Sequence, residues 1–339
     1  MNQITKAKLE KYFRSSDLAN MSDFIFSETV SLNEFKKKNK NFFVIEENKD
    51  IVSYINPIVT LSDGDIVFSK TDNVKILFKL LQKSSLKDIT LITHQSDLKI
   101  TNNLYKKKPQ AISRWFAVNA FIAKKDLFAI PFGFANSHYK KNLNPEKFEH
   151  NVKSTKKDNL IYINYNPNTN FFERQKIINA YKNDENFVIR SSDSSLQEYR
   201  EDLKKYKFVL CPSGNGLQTH RLWEALYFGS IPVVKNYTLY KNFKNLNIIF
   251  VDSFKNLKIE NLNSTVNSEA EDYKKFLNQY IEIIFERKNI RNKNEHNLFV
   301  SNKILDRTLK KHNFYRRFNK FYKPFRAKFY KIYSLFTSF

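Results

Sequence analysis

Phe208-Val-Leu-Cys-Pro-Ser-Gly-Asn-Gly-Leu-Gln-Thr-His-Arg-Leu-Trp-Glu-Ala-Leu-Tyr-Phe-Gly-Ser-Ile-Pro-Val-Val234 decides how this 339-residue chain reads. An apolar strand runs into Pro212. The small residues Ser213, Gly214, Asn215 and Gly216 follow, a loop over which a ligand can approach the backbone closely. A helix starts near Thr219, whose hydroxyl suits an N-cap. The unpaired N–H groups and positive dipole end of such a start favour an anion. Gly229 is placed to close the helix in a left-handed cap, and Ile231 to Val234 is the next strand. The chain has only five glycines, and three of them fall in this stretch.

Within the helix, Leu222, Ala225 and Leu226 face a sheet, while Arg221 and Glu224 lie three apart and share a face. A guanidinium pairs with a diphosphate in bidentate fashion, and a carboxylate one turn on can accept from ribose hydroxyls. The plainer alternative is a surface ion pair between the two. His220 stands beside them at the helix start.

The alternation continues outward. Strands are expected at Leu160 to Asn164, Phe187 to Arg190, Phe208 to Cys211 and Ile248 to Val251, with helices near Glu173 to Tyr181, Leu196 to Lys205 and His220 to Phe228. In the first half, Asp65 to Phe68 and Ile89 to Thr93 read as strands and Val74 to Gln82 as an amphipathic helix. Phe128 to Phe134 is a further apolar run. Such alternation implies parallel sheets with crossover helices. A polar segment, His150 to Asn159, separates two α/β halves, and ligands in such sheets bind beyond the carboxyl ends of the strands.

Cys211-Pro-Ser-Gly-Asn-Gly216 with Thr219-His-Arg-Leu-Trp-Glu-Ala-Leu-Tyr-Phe-Gly-Ser-Ile-Pro-Val-Val234 resembles the donor-binding segment of exostosin-like glycosyltransferases. It is similar, more loosely, to the corresponding stretch of α-1,3-fucosyltransferases. The resemblance covers residues 155 to 255. It implies a GT-B-like α/β fold: two Rossmann-like domains facing a cleft, followed here by a basic aromatic C-terminal helical tail. The domains are then 1–154 on the acceptor side, 155–302 for the nucleotide-sugar, and 303–339 as the tail. The resemblance assigns Arg221 to the diphosphate and Glu224 to the ribose or sugar. The implied activity is a metal-independent, hexosyl-type transfer from a UDP- or GDP-linked sugar to a glycan or lipid-linked glycan, as in cell-surface polysaccharide assembly. The nucleotide-sugar is a substrate, and no cofactor is expected.

The expected donor-binding set is Ser213, Gly214, Asn215, Gly216, Thr219, His220, Arg221 and Glu224, joined by Asn164 and Arg190 at the ends of two neighbouring strands. Asn and Ser at such ends are also ordinary turn formers. Arg174 is a further phosphate candidate. His94 and Asp97, just after the strand Ile89 to Thr93, are the catalytic candidates. An imidazole titrates in the right range for a general base, and the competing reading is a capping histidine with an N-cap aspartate. Arg114 and Trp115 are placed on the acceptor side. Asp63-Gly64-Asp65 has the form of a metal-binding Asp-x-Asp but precedes an apolar strand and reads as a turn. Cys211 reads as a small buried side chain, and no zinc-like histidine spacing occurs.

Composition sets the remaining bounds. Lys+Arg number 58 against 34 Asp+Glu, a formal net charge of +24. A basic chain of this kind suits nucleic acid, an anionic surface or an acidic substrate, so the rival reading is a non-catalytic binder of nucleic acid or anionic glycan. Only 12 of the 58 are Arg, and Asn, Ile and Phe are abundant, as AT-rich codons also produce. From Lys303 onward there are 11 basic residues and one acid, Asp306. Phe314, Phe318, Phe321, Phe325, Phe329, Tyr333 and Phe336 recur at helical spacing, with Pro324 expected to break or kink the helix. Aromatics on one side and cations elsewhere suit an anionic membrane surface through residues 314–339; docking on the protein body is the alternative, and nucleic acid is not favoured. One cysteine, a polar N-terminus and no apolar stretch of about 18 residues point to a cytoplasmic protein, peripheral on the inner face of a membrane.

Overall fold

β-Branched and aromatic runs in the first half of the chain form β1 (Phe24–Ser31), β2 (Phe43–Glu47), β3 (Ile51–Ile55), β4 (Ile58–Ser62), β5 (Ile66–Lys70), β6 (Ile89–His94), β7 (Ile112–Ala117) and β8 (Leu127–Ala129). The computed structural model describes residues 3–38, 41–147, 156–287, 290 and 293–336. Seven of these strands make one sheet in the order β2-β3-β1-β5-β6-β7-β8. Its β1 and β5 to β8 are parallel, and β3 is antiparallel to β1 and β2. β6 is buried along its whole length, the continuous burial expected of a central parallel strand covered on both faces. Phe68, Leu91, Ile92, Trp115 and Phe116 are each at most 1% exposed and fill the core.

The second half carries β9 (Asp158–Ile163), β10 (Phe187–Ile189), β11 (Tyr206–Leu210), β12 (Ile231–Lys235) and β13 (Ile249–Val251). All pairings are parallel, in the order β10-β9-β11-β12-β13. Helices Phe171–Tyr181, Leu196–Lys205 and His220–Tyr227 lie in the crossovers. Ile161, Ile163, Phe208, Leu210, Ile231 and Val233 pack with Ile177 and Tyr181 on one face. Tyr162, Val209 and Val234, one register step away, are buried on the other. The period-2 pattern of each strand thus fills both faces of a doubly wound sheet. This order, 2-1-3-4-5, reverses direction between β9 and β11, which marks the place where such sheets bind ligands.

The chain divides into two units. One comprises Met1–Tyr139 with Lys274–Asn313, the other Lys140–Tyr273 with Phe314–Phe339. The boundary expected at 154/155 falls in residues 148–155, outside the described residues. The chain returns to the first unit because β14 (Glu295–Phe299) pairs with β4, from Ser62 opposite Glu295 to Ile58 opposite Phe299. β4 is also a strand the sequence reading missed: Asp63-Gly64-Asp65 lies between two strands, and a strand does precede it. Gly64 (φ +81°) makes the turn. Asp63 accepts from the backbone of Lys87 and Asn294 and from Asn294 Nδ2, and Asp65 accepts from the Ser62 amide. Both carboxylates hold loops.

Arg114 and Trp115 also differ from expectation. Arg114 donates to the carbonyls of Ile283 and Glu286, closing the end of the helix Tyr273–Phe285, and Trp115 is a core residue bonded to Thr93. The tail is one helix, Asn302–Phe336, continuous through Pro324. The expected break is absent: the proline removes one amide donor, and the helix runs on past it.

Candidate functional site

β9 and β11 deliver their carboxyl ends side by side at the reversal point of the second sheet. Past β9 come Asn164 and Tyr165; past β11 come Cys211, Pro212 and the loop Ser213 to Gly216. Arg174, on the helix that follows β9, ties the two ends together. Its Nε donates to Ser213 O (2.9 Å), Nη2 to Pro212 O (3.0 Å), and Nη1 to Asn166 O (2.9 Å) and Thr169 Oγ1 (2.6 Å). Its guanidinium lies 4.9 Å from the centre of the Tyr165 ring. The loop passes close to this guanidinium: a Cβ on Gly214 would come within 3.2 Å of Arg174 Nη2. The arginine expected at a phosphate therefore shapes the loop that surrounds it.

Arg221 occupies the first turn of the helix His220–Tyr227 and is held differently. Its guanidinium sits 5.8 Å from the Tyr165 ring and 5.9 Å from the Tyr199 ring, and its buried Nε makes no hydrogen bond. In place of the alternative surface ion pair, Glu224 Oε2 accepts from Tyr199 Oη at 2.8 Å. Burial raises the Glu224 pKa above the ordinary value, against the Tyr199 bond and the Arg221 charge. Burial opposes the Arg221 charge, but the surrounding Tyr199, Cys211, Glu224 and Tyr162 outweigh it and keep its pKa above the usual guanidinium value. Burial, with the nearby Arg221 charge, lowers Arg174 to about 10. Two like charges have been gathered on one tyrosine ring, an arrangement that an anion would relieve.

Thr219 stands at the N-cap position but does not cap. Its side chain makes no cap bond, and its Oγ1 is buried without a hydrogen-bond partner. Two polar groups at one helix start, Thr219 Oγ1 and Arg221 Nε, are thus left unsatisfied by the protein, which buried polar atoms rarely are. In the first turn of the same helix, Leu222 N donates to Thr219 O at 3.3 Å.

The other expected donor residues are placed as follows. Ser213 is buried, with its Oγ 3.3 Å from Tyr237 Oη. Gly214 N donates to Gly216 O, closing the loop on itself, and Asn215 at its tip is exposed. His220 is half-buried beside Thr219. Asn164 is buried and donates to Ser191 O, so it braces the loop after β10. Arg190 is exposed and paired at 3.7 Å with Asp202. Cys211 is buried, its thiol pushed up to about 12 by burial. Tyr165 and Tyr199 are the residues that sequence reading missed. A tyrosine four before the buried Leu203 in an otherwise charged helix was the available signal for Tyr199.

In the first unit, His94 ends β6, 2% exposed and stacked on Phe132 with ring centres 5.3 Å apart. Its Nδ1 accepts the Gln95 amide at 2.7 Å, which in the neutral ring leaves the proton on Nε2. Asp97 is exposed, and no helix starts there; the helical turn begins at Asn102. Gln95, in a left-handed conformation (φ +56°), accepts from Thr29 N and donates to Ser15 Oγ. Lys70 at the end of β5 donates to Thr29 Oγ1 and Ser53 Oγ. Among the described residues, no group of three or more His, Cys, Asp or Glu is gathered as for a metal ion.

Residues 168–297 match the family model of the RXYLT1 C-terminal domain. That match supports relationship to a glycosyltransferase family, and does so without singling out the exostosin-like or α-1,3-fucosyltransferase groups. It includes Arg174, Tyr199, Arg221 and Glu224 and runs on into β14, while covering well under half of the chain. Comparison with the curated proteins gives no match.

Proposed function

We propose that the chain is a glycosyltransferase of the GT-B class that binds its nucleotide-activated sugar at the carboxyl ends of β9 and β11. The observation that carries this reading is Arg221: a buried Nε without a hydrogen bond, beside the orphan Thr219 Oγ1 at a helix start. A diphosphate satisfies both, accepting from Arg221 and Thr219 at the positive end of the helix. Glu224, steadied by Tyr199, is positioned for a ribose or sugar hydroxyl.

In the proposed reaction an acceptor hydroxyl oxygen attacks the anomeric carbon as the bond from that carbon to the diphosphate oxygen breaks. The electron pair leaves with the diphosphate, whose growing charge Arg221 and the helix start meet without a metal. The hydroxyl proton passes to a base. His94 and Asp97 are the residues proposed for that role. The donor is a UDP- or GDP-linked hexose, and the acceptor a glycan or lipid-linked glycan of the cell surface.

Thermal unfolding with UDP, GDP, CMP and ADP, with and without their sugars, tests the site. One nucleotide should raise Tm in a concentration-dependent way, and Arg221→Ala should abolish the shift. A wild type indifferent to all four, but stabilised by heparin or RNA, sinks the proposal in favour of an anionic-polymer binder.

A further inference from the structure

The helix Asn302–Phe336 leaves an aromatic face uncovered. Phe314, Tyr315, Phe318, Phe321, Tyr322 and Phe325 are all exposed, Phe314, Phe321 and Phe325 by more than 60%. They are not scattered. Ring centres are 6.2 Å apart for Phe314 and Phe318, 4.2 Å for Phe318 and Tyr322, and 5.5 Å for both Phe321–Tyr322 and Phe321–Phe325. At about 1.5 Å rise per residue this ladder is roughly 16 Å long. By helical angle the six rings fall within one arc, while Arg316, Arg317 and Lys320, all exposed, fall outside it. After Asp306 the chain holds no further carboxylate side chain.

We infer that this helix adsorbs to the surface of an anionic lipid bilayer, rings in the headgroup–acyl boundary and cations against the lipid phosphates. The charge pattern selects this occupant. A second copy docking through the same face would bring Arg317 and Lys320 of both chains together without a carboxylate to offset them. A nucleic acid would satisfy the cations and leave the ring ladder in water. A bilayer of acidic lipid answers both halves. The helix lies on the membrane; no described helix is long and apolar enough to cross one. This inference is independent of the donor site.

Full-length protein is sedimented with vesicles of phosphatidylcholine alone and of phosphatidylcholine with phosphatidylglycerol. Binding is expected to the mixed vesicles only, to weaken steeply as salt rises above 0.15 M, where the screening length is about 8 Å, and to fall at least about tenfold in Phe318→Ser/Phe321→Ser/Phe325→Ser. Arg317→Glu/Lys320→Glu should lose the preference for acidic lipid. Wild-type Tm retained in both variants shows that any loss is local. No sedimentation with either vesicle overturns the inference, as does a dimer or an RNA complex that the triple serine variant abolishes. Nucleotide-dependent Tm shifts measured on the same samples keep failure of the donor site distinct from failure of the tail.

Discussion

The parallel strands of the two sheets end in polar clusters of different character. At the β5–β6 end of the first unit, Lys70 is satisfied by the hydroxyls of Thr29 and Ser53, and Gln95 bridges Thr29 to Ser15. These side chains bond one another, while Thr71 Oγ1 just past β5 is buried without a hydrogen bond. At the β9–β11 end of the second unit, one arginine is consumed by four bonds while its neighbour on the same tyrosine ring has a buried Nε with none. A lysine held by two hydroxyls marks a support; a guanidinium whose buried Nε has no bond marks a place for a partner.

Substitution can break that contrast. The largest effect is expected at Arg174→Ala, which strands the Pro212, Ser213 and Asn166 carbonyls: stability should fall by about 3 kcal/mol in chemical denaturation, with nucleotide response lost as the loop relaxes. Arg221→Ala should do the opposite. Titration calorimetry should show nucleotide affinity down by about two orders of magnitude, while the ligand-free Tm holds or rises; a fall in Tm comparable to that of Arg174→Ala would make the two arginines equivalent and erase the distinction.

Smaller effects sharpen it. Lys70 has its pKa lowered by burial, so between its folded value and the unfolded 10.5 the unfolded chain binds more protons, and stability should climb with pH in that window. Lys70→Met should flatten the climb and change stability at pH 7 by no more than about 1 kcal/mol. Glu224 is shifted the other way. Its raised pKa favours the folded state below the ordinary 4.5, and that contribution is lost as pH rises through the folded value. Denaturation of Glu224→Gln from pH 4 to 8 should lack this loss, and the same variant should bind nucleotide-sugar more weakly than wild type.

Much of the second sheet was legible because its signals are local. The helix Leu196–Lys205 begins at a Ser195–Glu198 capping box that fixes its start, and Gly229 (φ +72°) fixes the end of the helix after β11. The Arg221–Glu224 spacing was legible too, but not its use, because the group that takes up Glu224 is 25 residues away on another helix. Tyr165 was overlooked for a similar reason: its importance lies in being shared by two arginines, a relation that only the sheet order creates. The β4–β14 pairing joins residues more than 230 positions apart, and Glu-His-Asn-Leu-Phe, polar at three of five places, carries little hydrophobic pattern to announce it. The bond on the His94 ring comes from a backbone amide one residue away, a contact that no side-chain pattern announces.

The β4–β14 pairing also dictates an order of synthesis. A ribosome finishes β4 long before it makes β14, and all of residues 140–273 must emerge in between. Until then the nascent first unit presents β4 without its partner, whereas the sheet from β9 to β13 is contiguous in sequence and can close as soon as it is exposed. Expression fragments should respect this. A chain stopped at Tyr139 lacks a strand of its own fold, and a usable first unit needs residues 274–313 grafted back across the excised segment.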